Sequence, residues 1–260
     1  MKYLLYTRAE FLRGIRYRAS FWAQMASGLI MTAIQWYLWT AVYRHTGSIA
    51  GVSLQEMLSY TLMGRVAAGF LAEPSNLRLA PRVRQGTIVH DLVKPADLHF
   101  QLLFQNLGSA AFRLVSTGLP LYVALSVMGI LHLPDARTLI AFVISLLMGY
   151  VAVFSTSFVS GVLTFYTKSG VGVDHLYTVV ELLAGMYVPL QFFPGWLRWV
   201  AENLPFKAIH YIPMAIWSGM TEPGEVVSAV LSQLLWTGLM VLLCRIVWKG
   251  AIKHLTVQGG

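Results

Sequence analysis

The chain has 260 residues, 57% of them hydrophobic and only 12% charged, with a mean hydropathy of +0.62. That composition excludes a water-soluble globular domain. The formal charge of +8 would suit a nucleic-acid partner, so the placement of the basic residues has to decide what it means.

Residues 2–18 precede the first apolar block with helix-compatible composition. Leu4, Phe11 and Ile15 share one stripe, interrupted by Arg8, while Arg13, Arg16 and Arg18 point elsewhere. This pattern predicts an amphipathic helix at 1–19 on the inner membrane surface; a basic tail that only sets topology is the alternative. Six apolar blocks follow, at 20–43, 54–72, 103–131, 138–166, 175–193 and 225–248. At about 1.5 Å per residue, each can cross a hydrocarbon core of about 30 Å as a helix that satisfies its own backbone. The first is too long for a signal-peptide core and lacks a small-residue cleavage site, so it is read as a span. The fold class is all-α integral membrane with no separate soluble domain.

Basic residues are unevenly shared between the connectors. Lys2, Arg8, Arg13, Arg16, Arg18, Arg78, Arg82, Arg84, Lys94, Lys168, Arg245, Lys249 and Lys253 fall on one side, against Arg44, Arg137, Arg198 and Lys207 on the other. The asymmetry predicts that both termini and the 73–102 connector are cytoplasmic. The positive charge then records topology, and nucleic acid is set aside as a partner.

The second block carries Gln55, Glu56, Ser59, Thr61 and Arg65, with Gly64, Ala68 and Ala72 at four-residue spacing. The fourth repeats the theme with Ser145, Gly149, Ala152, Thr156 and Ser160. Small residues so spaced let helices approach closely, and lining a substrate path is the other reading. Blocks three and four are longer than a perpendicular crossing requires. Pro120 supplies a kink point in the third by removing the bond to Ser116, and Pro189 does the same in the fifth.

Between the second and third blocks, the run from Arg82 to Leu98 predicts a short helix between Gly86 and Pro95. Its Ile88, Val89, Leu92 and Val93 are more apolar than a solvated loop needs. Docking to a soluble partner would explain them, with Arg82, Arg84, Gly86, Ile88, Asp91, Leu92, Lys94 and Pro95 as candidate contacts; an ordinary loop is the alternative. After the fifth block, Pro194, Pro205 and Pro213 divide an apolar stretch into pieces too short to span. A re-entrant or interfacial helical hairpin over 194–220 is expected, with Trp196, Trp199, Tyr211 and Trp217 at headgroup level. Pro189, Phe192, Phe193, Pro194, Trp196, Leu204, Pro205 and Phe206 form either an outer gate or a lipid anchor.

Arg65, Arg113 and Glu181 fall well inside blocks. An intramembrane charge is costly and faces a bundle interior or a watery cavity. These three serve either a pathway or an ion pair between Glu181 and one of the arginines. No histidine pair has metal-ligand spacing, and H-E-x-x-H and G-x-S-x-G are absent from the sequence. The nearest approach to a phosphate loop, Gly161 to Ser169, lacks the glycine before its lysine. Cys244, the single cysteine, excludes an internal disulfide and reads as a packing residue.

The residues from 84 to the end resemble the membrane subunits of type-2 ABC exporters, nearest to a bacterial subgroup of similar length. The matching pieces are Arg84, Gly86, Leu92, Lys94 and Pro95; Gly185, Val188, Pro189, Leu190, Phe193 and Pro194; Leu204 to Phe206; Pro213 and Gly219; and the terminal run Val257 to Gly260. Gln85 departs from the acidic residue found in many relatives. The resemblance implies an N-terminal surface helix, six spans, a cytoplasmic coupling helix and paired outer helices. It further implies a second permease subunit, identical or similar, and two ATPase subunits that carry ATP and Mg, with no cofactor in this chain. A bacterial cytoplasmic membrane is the implied location. An integral-membrane lipid-modifying enzyme, for which only Asp91 and Asp97 come near, and a secondary transporter are the rival readings.

Overall fold

The computed structural model describes residues 2–15, 18–72, 74, 93, 97–167 and 178–252. Arg82, Arg84, Gly86, Ile88, Asp91, Leu92, Lys94 and Pro95, the whole candidate coupling set, lie outside the described residues, as does the C-terminal Val257 to Gly260 run.

Helix α1 (Lys2–Gly14) runs beside α4 (Leu98–Arg113) in the same direction. Tyr3 stacks on Phe104, the Thr7 hydroxyl donates to the Phe104 carbonyl at 2.9 Å, and Phe11 meets Phe112 edge-on. Gly108 allows this approach, because a Cβ there would collide with the Thr7 carbonyl. The stripe expected to face the membrane is therefore divided: Phe11 packs against protein, while Leu4 and Ile15 stay exposed with Leu5 and Leu12.

Helix α2 (Arg18–Val42) leads into a short antiparallel hairpin, β1 (Ser48–Ile49) and β2 (Val52–Ser53). Ala50 and Gly51 close it with φ of 52° and 80°, the left-handed pair that a tight two-residue turn requires. Ser53 then caps α3 (Leu54–Ala67): its hydroxyl accepts from the Glu56 amide, and the Glu56 carboxylate accepts from the Ser53 amide at 2.7 Å. Helix α3 ends at Ala67, five residues before the end of the predicted block. Its 14 residues cover about 21 Å at 1.5 Å each, less than a hydrocarbon core.

From α4 the chain continues through a π-helical turn at Leu114–Gly118 into α5 (Leu119–Val127). The disturbance expected from Pro120 thus takes the form of a widened turn ahead of the proline. Helix α6 (Ala136–Thr167) follows, and α9 (Val226–Ile252) closes the chain against it. Among the described residues, Leu98–Val127, Ala136–Val162 and Val226–Ala251 are long and apolar enough to cross a membrane. Helix α2 is long enough at 25 residues, but its aromatic and hydroxyl residues lower its hydropathy. Of the fifth block only 178–183 is described as α-helix, and a 3-10 turn occupies its end.

The proline-broken stretch after it forms a 3-10 turn at Leu190–Phe192, α7 (Gly195–Asn203), a second 3-10 turn at Pro205–Ala208 and α8 (Tyr211–Ser218). The two helices have opposite character. Helix α7 exposes Trp196 and Trp199, whereas α8 buries Ile212 through Trp217 against α3 and α6.

Candidate functional site

Arg65 lies two residues before the end of α3, where the helix dipole favours a cation. Arg113 is the last residue of α4, directly before the π-turn. Both line one half-open cavity of about 450 Å³ between α2, α3 and the π-turn. Small residues line much of it, Ala23, Ser27 and Gly28 from α2, Ala68 and Ala72 past Arg65, and Thr117 from the turn, beside the larger Gln24, Val66 and Leu121. The predicted small-residue series of block two therefore divides. Ala68 and Ala72 border this cavity, while Gly64 borders a second void of about 30 Å³, wide enough for one water, with Gln35, Tyr60, Arg65, Tyr187 and His210.

Close backbone contacts hold the cavity's frame. Arg113 donates from Nε to the Gly69 carbonyl at 2.6 Å, and a Cβ on Gly69 would stand 2.9 Å from the Arg113 Cβ. A Cβ on Gly118 would collide with the Val66 carbonyl. The end of α3 is in this way clasped to the middle of the long third helix.

The possible ion pair between Glu181 and an arginine is not formed among the described residues. Glu181 instead accepts from the Tyr187 hydroxyl at 3.1 Å, and Tyr187 in turn faces Arg65. The Arg65 Nε is buried with no hydrogen-bond partner there. Separation along the fold explains this: Gly185, at φ 77°, turns the chain straight after the 178–183 helix and carries Tyr187 between the two charges.

The expected gate residues also fall into different environments. Pro189 and Phe193 are buried, Phe192 packs edge-on against Trp39 at 5.8 Å, and Pro194 and Trp196 are exposed. Leu204, Pro205 and Phe206 are half-buried at the start of the second 3-10 turn. The junction above them is tied by Tyr60, whose hydroxyl donates to the Gly185 carbonyl at 2.6 Å, and by the Tyr211 amide, which donates to the Ala184 carbonyl.

Two further polar clusters had no counterpart in the sequence reading. Gln233 of α9 donates to the Ser145 and Ala208 carbonyls at 2.8 Å each and accepts from the Ser145 hydroxyl at 2.6 Å, all buried. At the start of α4, Asp97 caps the helix by accepting from the Phe100 amide and pairs with Arg245 of α9 at 2.6 Å. The Arg245 guanidinium also lies over the Phe100 ring. Burial works against ionisation of Asp97, but the bonds from Arg245 and Phe100 outweigh it and hold the carboxyl below its ordinary range. The signal for the first cluster is a lone glutamine in an apolar block, and for the second, opposite charges bounding two blocks.

Long apolar helices mark an integral membrane protein. The profile of the ABC-2 family transporter protein matches residues 29–259, and the chain belongs to that family. No curated protein and no solved structure matches it.

Proposed function

We propose that the chain is the transmembrane permease subunit of an ATP-driven exporter that moves an amphipathic, lipid-like or drug-like cargo outward by alternating access. The observation that carries this reading is the family match over nearly the whole chain, which implies partnership with an ABC ATPase. The chain is a transport component, and ATP with its Mg belongs to two partner ATPase subunits. The 86–95 segment is the coupling helix that docks them, with Arg82, Arg84, Gly86, Ile88, Asp91, Leu92, Lys94 and Pro95 at the contact. A second permease, identical or homologous, completes the pathway in a bacterial cytoplasmic membrane, with both termini inside.

In this mechanism ATP-driven closure of the partner pushes the coupling segment, and the two-state shift passes to the helices that flank it. The proline-broken segment from Pro189 to Phe206 acts as the outer gate. Leu92→Asp should abolish co-purification of an ABC ATPase co-expressed with the chain. Retained association would overturn the coupling assignment.

A further inference from the structure

Two guanidinium groups that share a cavity inside apolar blocks need a counter-charge, because an isolated buried ion is expensive. The described carboxylates nearest the bundle are committed elsewhere: Glu10 to Arg13, Glu56 to its own helix cap, Asp97 to Arg245 and Glu181 to Tyr187. Among the described residues neither Arg65 nor Arg113 forms an ion pair, and the buried Arg65 Nε has no partner. A forked guanidinium is matched by an oxyanion that accepts two parallel hydrogen bonds. The cavity's volume of about 450 Å³ falls within the range of small-molecule sites, roughly 300–1,000 Å³.

The surroundings constrain the rest of the ligand. Thr117 and Ser27 add hydroxyls to the lining. Just past the cavity-lining Gly28, α2 exposes the apolar side chains of Leu29, Ile30 and Ile34. The cavity adjoins the π-turn, a widened helical turn of the kind that often marks functional sites. Charge at one end and apolar surface at the other match an amphiphile with an anionic head. We propose that this cavity binds the anionic phosphate headgroup of an amphiphilic cargo, with Arg65 and Arg113 as its clamp; the identity as cargo rests on the permease reading above.

The test uses the purified full chain in a non-ionic detergent, titrated with dihexanoyl phosphatidylglycerol, dihexanoyl phosphatidylcholine or inorganic phosphate and read by native mass spectrometry. The anionic lipid should bind saturably and at least about tenfold more tightly than the zwitterionic one, as loss of a charge-assisted clamp implies. Arg65→Gln should weaken it about tenfold and Arg65→Lys much less, since lysine keeps the charge and loses only the fork. Gly28→Leu, at a position where a Cβ meets nothing within 4 Å, should fill the cavity and weaken binding with both arginines intact. Equal affinity across the wild type, Arg65→Gln and Gly28→Leu would overturn the site. Competition by inorganic phosphate at the lipid's own concentration would overturn the assignment to an amphiphile. Glu73 follows the cavity-lining Ala72 and lies outside the described residues; binding that appears only in Glu73→Gln would make Glu73 the counter-ion and overturn the proposal. Co-purification with the ATPase separates the two readings. If it fails while lipid binding stands, the permease role falls alone; if it persists while binding is charge-independent, the headgroup site falls alone.

Discussion

Replacing Gln233 with Leu removes three buried hydrogen bonds that join α9 to α6 and to the second 3-10 turn. Hydrogen bonds between membrane helices average about 0.6 kcal/mol and reach about 1.7, so three are worth about 2 kcal/mol and at most about 5. The lower figure is favoured, because the Ser145 carbonyl already serves the α6 ladder and leucine restores apolar contact. A loss of about 2 kcal/mol corresponds to about 4–8 °C in melting temperature for a chain of this size. Cys244 supplies the assay: it is buried, it is the chain's single cysteine, and its reaction with a thiol-specific fluorescent maleimide during heating reports the opening of the α6–α9 interface. Ser145→Ala, which deletes one of the three bonds, should cost about a third as much, and the double variant should cost less than the sum because the sites share a bond. A Gln233→Leu protein that melts within about 1 °C of the parent would refute the claim that this network holds α9 in place.

Gly118→Ala should destabilise by about 1–3 kcal/mol, since its Cβ would meet the Val66 carbonyl rather than a side chain that can move aside. The same melting assay reads it, and an unchanged midpoint would mean that the π-turn after α4 is not clasped to α3. Tyr60→Phe should cost about 1 kcal/mol through the lost bond to the Gly185 carbonyl. Asp97→Asn should cost about 0.5 kcal/mol at neutral pH, a low figure because Asp97 and Arg245 are 39% and 30% exposed and solvent screens the pair. Since folding lowers the Asp97 pKa, the carboxylate's contribution is present above the ordinary value of 3.8 and is lost as pH falls through the folded one. The melting gap between wild type and Asp97→Asn should therefore close in acid, and a gap that widened there would reverse the sign of the argument.

Apolar runs and their breakers made the long helices legible, because length and hydropathy are properties of the chain alone. The same signals misjudged α3. Its block continues apolar to Ala72, yet the helix stops at Ala67, and the chain past it packs Gly69 against Arg113 of another element. The two small-residue series look alike in sequence and differ in the fold. Gly149 of α6 lies against the Ile209 carbonyl and Ala152 is fully buried, which is packing, whereas Ala68 and Ala72 face a cavity. Four-residue spacing says that a helix has a smooth face and cannot say what stands opposite. Pro120 marked the position of the irregularity ahead of α5, but not the approach of Gly118 in the π-turn to the Val66 carbonyl. The pairing of Gln233 with Ser145 spans 88 residues and follows from no local rule.

The 73–102 connector leaves α3 and returns at the start of α4, and the far end of α4 with its π-turn is in turn held to α3. Arg113 bonds the Gly69 carbonyl, Gly118 abuts the Val66 carbonyl, and Asp97 at the start of α4 is paired to Arg245 of α9. These contacts close a loop through α3, α4 and the π-turn, so a displacement of one flank acts on the other. The arginine cavity lies inside that loop, bordered by Arg65 and Ala68 on one flank and by Arg113 and Thr117 on the other. Separating the flanks would widen the cavity and break the bond to Gly69, and bringing them together would press the two guanidinium groups toward each other. With an anion between them, closure is favourable; without one, like charges oppose it. Under the proposed function, that difference is a direct physical route by which an occupied cavity could favour one position of the coupling segment over the other.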